Sequence, residues 1–289
     1  MKFALIDAEQ GLAEPVATVS EMCRTLGVSR TGYYAWKSRG PSQRQKDDDT
    51  LAVKVLEVHK KSRQTYGRPR IHDKLKKQGV RVSGKRLARV MNEQDVHGKV
   101  KKKFVITTDS DHPLEVAPNV LDRDFTASAP NQRWVGDITY LFTPEGWVYL
   151  AVVIDLYSRM VVGWSLGTVI DRFLVLRALE EAKQRRGVVA GGLFHSDRGS
   201  QYASEDYRNA LIAAGLTCSM SRTGDCYDNA VSESFFATLK RELGENFKDL
   251  TDAQRQLFDY IESFYNGERS HSTLGYASPI EFENTRAAA

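Results

Sequence analysis

A chain of 289 residues, 41% of them apolar, can bury a sizeable core and divide into two or three domains. Three scattered cysteines (Cys23, Cys218, Cys226) exclude a disulfide framework, and the six histidines lack the paired spacing of a zinc-binding module. The net charge of +4 hides an asymmetry, because 17 Lys and Arg face 4 Asp and Glu between Lys54 and Lys103. The rest of the chain is therefore net acidic, as when a polyanion-binding segment is joined to a unit of another kind.

Residues 1–45 read as a small helix-turn-helix-like segment with a linker. Val19 to Trp36 has the pattern of two short helices about a turn at Gly27, with Ser29 capping the second. Tyr33, Tyr34 and Trp36 are expected in the core of so small a unit, and Gly40 to Gln45 is a linker by composition. Residues 46–98 form a second, basic helical unit. Pro69 suits a first helical position, Gly79 a helix end, and Ser83 the cap of a helix carrying Lys85, Arg86 and Arg89. With Arg68 and Arg70, those three cations are the candidate DNA contacts of this unit; the competing reading is a solvated helical face. Residues 99–130, opening on the Lys99 to Lys103 cluster, read as a basic, extended connection able to track DNA.

From residue 131 to 250 the pattern changes to strands separated by helices. Trp134 to Phe142, Val148 to Asp155 and Met160 to Leu166 predict an antiparallel meander. A helix over Arg172 to Arg186, a strand over Gly192 to His195, a helix from Glu205 to Ala214 and a strand over Leu216 to Met220 come next. In the helix after them Asn229 is placed to cap, with Val231, Phe235 and Leu239 as the buried stripe. Residues 251–289 hold a final helix, Asp252 to Tyr265, and a tail that packs on the core or reaches DNA.

Three carboxylates stand out. Asp137 is a lone charge within an apolar, β-branched run, and a buried carboxylate is costly unless paired or metal-bound. Asp197 falls at the C-terminal tip of a strand, where α/β proteins place their chemistry. Glu233 sits on a helical first turn, off the apolar stripe, and Lys240, seven residues on, shares its face. Asp155 is a rival carboxylate, but the turn after it gives it an ordinary turn-initiating role. Asp225 and Asp228 are placed to cap or steer the loop before Glu233. His195 is a packed or hydrogen-bonded histidine, a DNA contact or a proton relay, and His271 has no assignable chemistry.

Trp134-Val-Gly-Asp-Ile-Thr-Tyr, Asp155-Leu-Tyr-Ser-Arg, His195-Ser-Asp-Arg-Gly-Ser-Gln-Tyr, Ser221-Arg-Thr-Gly-Asp-Cys-Tyr-Asp-Asn-Ala, Glu233 with Lys240, and Tyr265-Asn-Gly-Glu-Arg-Ser-His-Ser-Thr-Leu-Gly-Tyr-Ala-Ser-Pro occur in one order across more than half of the chain. In these residues the chain resembles a DDE transposase of the insertion-sequence three family, the second-frame (orfB-type) product with a retroviral-integrase-like core. The resemblance implies an α/β core of RNase H-like type, a mixed five-stranded sheet with flanking helices, behind small all-α helix-turn-helix units. It also implies that Asp137, Asp197 and Glu233 are both the catalytic and the metal residues. Asp137 would bridge two Mg²⁺ or Mn²⁺ ions, with Asp197 holding one and Glu233 the other; all-oxygen carboxylate ligands suit such hard ions. Cleavage by water and then strand transfer by the freed 3′-hydroxyl are implied by the same resemblance, with Lys240 placed to hold a phosphate and Arg241 a lesser DNA contact.

The implied partners are the DNA of the element's ends and of the target, a first-frame (orfA-type) partner or fusion, and further copies of the chain on DNA. No apolar run reaches the roughly 18 residues of a membrane span and no signal peptide is visible, so a cytoplasmic bacterial protein, nucleoid-associated when bound to DNA, is expected. The alternatives left open are an RNase H-like nuclease without strand transfer and a non-catalytic DNA-binding regulator.

Overall fold

A computed structural model describes residues 1–287 apart from 14, 100–113, 115, 188–189 and 223–225. Its first unit holds three helices, α1 (Lys2–Gln10), α2 (Val19–Thr25) and α3 (Arg30–Ser38), around a small core of Ile6, Cys23 and Tyr33. Thr18 and Glu21 form a capping box at the start of α2, and Ser29 caps α3 by accepting from the Gly32 N–H. The sequence pattern missed α1, which begins without a side-chain cap. Of the three aromatic residues expected inside, only Tyr33 is buried; Tyr34 and Trp36 are 51% and 39% exposed. A three-helix unit of this size encloses one face of α3, and Phe3 of α1 takes the place beside Tyr33.

The expected linker is also shorter than composition indicated, because Ser42 accepts from the Gln45 N–H and starts α4 (Gln43–Lys61). The polar first turns of that helix carry no apolar period to betray it. α5 (Arg68–Lys77) and α6 (Gly84–Glu93) complete the second unit, with Pro69 in the first turn of α5 and Ser83 capping α6. Val55, Ile71, Leu75, Leu87 and Val90 close its core, which runs on without a break into the α/β unit.

Strands β1 (Arg133–Thr143), β2 (Gly146–Asp155), β3 (Val161–Gly167), β4 (Leu193–Ser196) and β5 (Thr217–Met220) form one mixed sheet in the order β3-β2-β1-β4-β5. β1–β2 and β2–β3 are antiparallel, and β1–β4 and β4–β5 are parallel. This is the mixed five-stranded sheet anticipated from the sequence. The strand period of two sorts β2 between layers: Leu150, Val152 and Ile154 enter the core shared with α10 (Ala230–Glu242) and α11 (Leu250–Phe258), while Ala151 and Val153 enter the core under α7 (Arg172–Arg186), α8 (Ser200–Ala203) and α9 (Glu205–Ala213).

Two further expectations change. The last long helix starts at Leu250, and from Asp259 to Tyr265 it widens into a π-helix that turns Tyr260, Ile261, Phe264 and Tyr265 inward together. Asn266 ends it by donating to the Val161 carbonyl and accepting from the Val161 N–H, which fixes the helix to β3. α12 (Pro279–Ala287) ends the described chain. Part of the expected basic connection, 100–113 and 115, lies outside the described residues. The stretch just before β1 is not a free strand lying along DNA: Leu121 is buried, and the Val120 and Leu121 N–H groups donate to the Ser219 hydroxyl.

Candidate active site

The parallel register of β1 and β4 sets Val135 opposite His195. Both strands run the same way, so Asp137 and Asp197, each two residues further on, come out side by side beyond the same end of that pairing. Gly136 makes room for the approach, because a Cβ there would stand 2.6 Å from the Phe194 ring. Asp137 Oδ1 accepts from the Ile138 N–H at 2.8 Å, and Asp197 Oδ1 from the Gly199 N–H at 3.0 Å. Glu233 stands on the first turn of α10, where a carboxylate is favoured by the helix dipole.

All three carboxylates are half-buried. Burial raises the Asp137 carboxyl well above the usual range, and the charges of Asp197 and then Glu233 push it the same way. Like charges act strongly on each other at short range in a poorly solvated place, so Asp197 and Glu233 both lie within electrostatic reach of Asp137. Among the described residues, no three His, Cys, Asp or Glu side chains stand close enough together to hold a metal ion as they are placed.

Tyr202 is a neighbour that sequence reasoning passed over. Burial pushes its hydroxyl well above the usual range, followed by Tyr207 and by the charges of Asp137 and Asp197, so it lies beside both aspartates. The signal was present in the His195 to Tyr202 motif, but only the tertiary packing of α8 under β1 and β4 places the ring there.

His195 proves to be a packed residue. Nδ1 bonds the Ser219 hydroxyl at 2.9 Å and Nε2 the Ser221 hydroxyl at 3.2 Å, and burial lowers its pKa to about 4. Asp228 steers the loop as expected: fully buried, it is held by Arg222 and Arg123 and accepts from Asn119. Asp225 lies outside the described residues. Asn229 stands at the N-cap of α10 but makes no side-chain capping bond, and its Oδ1 is buried without a partner. Its backbone, at φ −113° and ψ 23°, departs from the extended form that capping requires. The buried stripe of α10 is Ser232, Phe235, Phe236, Leu239 and Glu242; Val231 is only half-buried. Asp155 accepts from the Asn131 and Tyr157 N–H groups and organises the β2–β3 turn.

Several candidate cations already have protein partners. Lys240 lies over the Tyr140 ring, 4.4 Å from its centroid, and pairs with Glu245 at 3.5 Å. Arg86 and Arg89 both bind the Asp48 carboxylate, at 2.7 and 2.5 Å, and Arg89 also pairs with Glu93. Of the five cations singled out in the second unit, Lys85 and Arg68 are exposed, whereas Arg70 turns toward the core and approaches buried Glu242 at 3.8 Å, as Arg241 does.

Comparison with known proteins agrees with this architecture. An integrase core domain model matches residues 127–226, a second integrase core domain model residues 214–279, and an HTH-like domain model residues 46–104. Transposase InsF of insertion sequence IS3A from Escherichia coli (strain K12) is 43% identical over 292 residues, covering 100% of both chains. A 31 kDa protein of insertion element IS600 from Shigella sonnei is 44% identical over 263 residues, 90% of this chain and 97% of the relative. The HTLV-2 integrase catalytic core, solved in complex with magnesium, aligns at a TM-score of 0.42 and 16% identity, over 54% of this chain and 98% of that one.

Proposed function

Because this chain belongs to the insertion-sequence three family of transposases, we propose that Asp137, Asp197 and Glu233 are the residues with which it works. As a transposase with an integrase core it cleaves DNA and transfers strands, a polynucleotidyl transfer. The observation that carries the assignment is the parallel β1–β4 register, which brings Asp137 and Asp197 side by side, with Glu233 within electrostatic reach.

A metal fits this donor set. Three carboxylates offer only hard oxygen ligands, the choice of Mg²⁺ or Mn²⁺, and their mutual repulsion is what a cation between them would relieve. Asp137, Asp197 and Glu233 would hold the metal. When bound, it would supply charge stabilisation to the entering and departing oxygens of a phosphoryl displacement. The protein's part is to position: the β1–β4 register sets the two aspartates together, Glu233 stands on the first turn of α10, and buried Tyr202 lies beside the aspartates. Lys240, over Tyr140, stands two turns along the same helix to hold a phosphate near the trio.

The helical units bind the DNA. Division into 1–45, 46–98, 99–130, 131–250 and 251–289, action with a first-frame partner, assembly of several copies on DNA and a cytoplasmic location belong to the same reading. No helix among the described residues is long and apolar enough to cross a membrane. The deciding experiment incubates the protein, alone and fused to a first-frame partner, with oligonucleotides bearing the element's ends and Mg²⁺. Joined end-to-end or end-to-target products are expected; cleavage without joining in every condition would favour a nuclease.

A further inference from the structure

Three guanidinium groups approach one carboxylate, and a fourth lines the same cavity, where α5, α10, the β2–β3 turn and the C-terminal tail come together. A cavity of about 370 Å³ there is lined by Arg70, Arg159, Arg241 and Arg269, with hydroxyls from Thr238 and Ser272 among the other lining groups. At about 30 Å³ per water it has room for roughly a dozen waters. The carboxylate is that of Glu242, closed to solvent and already committed. Arg269 donates to it from Nε at 2.8 Å and from Nη2 at 2.9 Å, and the Tyr260 hydroxyl donates to it at 2.9 Å. Arg70 and Arg241 only approach it, both at 3.8 Å.

Arg159 adds a fourth charge, held from a backbone at φ 62°. One end of its guanidinium donates to the Phe125 carbonyl, and its Nη1 is buried with no partner. His271, also on the cavity wall, adds no charge, because burial and then Arg269, Arg70 and Arg159 hold its pKa well below the usual value. The cluster therefore carries four positive charges against one committed negative charge. Even with Asp155 also acting on Arg159, the lining is left net positive, and partly buried cations favour a bound anion.

We propose that this cavity is an oxyanion site for a backbone phosphate of bound DNA, gripped by Arg159 and Arg241. Guanidinium groups are suited to phosphate oxygens by their forked donors. The location gives the contact a purpose. Arg241 lies eight residues, about 12 Å of helix, beyond Glu233 on α10, Arg70 comes from the HTH-like unit, and Arg269 from the tail. One phosphate seated here would lock both units and the tail to the strand that runs to the carboxylate trio. The DNA source of the phosphate rests on the transposase reading; the anion site itself does not.

The test uses the full chain and needs no catalysis, so a failure of the carboxylate assignment leaves its result intact. First, thermal midpoints are measured with inorganic phosphate against chloride at equal ionic strength; phosphate is expected to raise the wild-type midpoint by linkage, and less so in Arg159→Gln/Arg241→Gln. Second, binding of an element-end duplex is titrated over salt concentration. Each lost phosphate contact lowers the slope of log K against log salt by about 0.9, so the double variant should be shallower by about that amount or more. Thr238→Val keeps every charge and serves if the double variant does not fold; it should weaken phosphate stabilisation without changing the circular dichroism spectrum. An unchanged salt slope overturns the proposal: with phosphate stabilisation retained in the wild type, the cavity takes a small free anion, and without it the arginines are only internal structure.

Discussion

Arg269 holds both oxygens of Glu242, from Nε at 2.8 Å and Nη2 at 2.9 Å, in a pair almost closed to solvent. Removing one partner of such a pair strands the other charge, which costs about 3–5 kcal/mol. Glu242→Ala is thus expected to lower unfolding free energy by about that amount in denaturant titration. The pair also sets a pH dependence. Burial opposes ionisation of Glu242, but the Arg269 hydrogen bonds and charge outweigh it and hold the carboxyl below its ordinary value of 4.5. A depressed carboxyl stabilises the fold above the unfolded pKa and loses that contribution as pH falls through the folded one. Wild-type stability should therefore drop below about pH 4.5 more steeply than that of Glu242→Gln. Parallel pH curves for the two proteins would remove this account.

Asp137→Asn, Asp197→Asn and Glu233→Gln should each abolish strand cleavage and joining while leaving duplex affinity nearly unchanged. In metal-free buffer Asp137→Asn is expected to melt no lower than the wild type, because it removes a poorly solvated charge facing two like charges. Mg²⁺ should raise the midpoint of the wild type and not that of the variant. Normal transposition by any one of the three variants excludes that residue from the metal set.

Lys240 is held between Tyr140 and Glu245. Lys240→Ala should reduce strand transfer more than bulk DNA binding, and Glu245→Gln, which frees the ammonium of a competing carboxylate, should not reduce it. Equal losses of binding and transfer in Lys240→Ala would place the lysine in general affinity.

Asp48 occupies two arginines of the basic unit at once. Asp48→Asn should release Arg86 and Arg89 to DNA, tightening binding and steepening its salt dependence, whereas replacing Lys85, Arg86 and Arg89 together by Ala should do the opposite. If the triple variant binds with unchanged affinity and slope, that helix face is merely solvated.

Much of the site was legible because local pattern carries it. An apolar strand interrupted by Asp137, a strand ending at Asp197 and a helix opening near Glu233 are each encoded within a dozen neighbouring residues, and the β1–β4 register needed only those strands in parallel. The caps at Ser29 and Ser83 were readable for the same reason: a hydroxyl and the N–H it satisfies are three residues apart.

What the sequence could not determine was which charges already had partners. Asp48 is 38 residues from Arg86, Glu242 is 27 from Arg269, and the Tyr66 hydroxyl reaches the Ser270 N–H across 204. The sequence alone singled out Asp137, Asp197 and Glu233 as candidates, and it determined the alternation of strands and helices and the basic segment. Only the tertiary structure decided that Arg70 turns inward, that Tyr202 lies beside the aspartates, that the last helix widens at Asp259, and that four arginines line one cavity. Periodicity and capping are properties of neighbours along a chain, whereas the pairing of a charge depends on whatever the fold brings within a few ångströms of it.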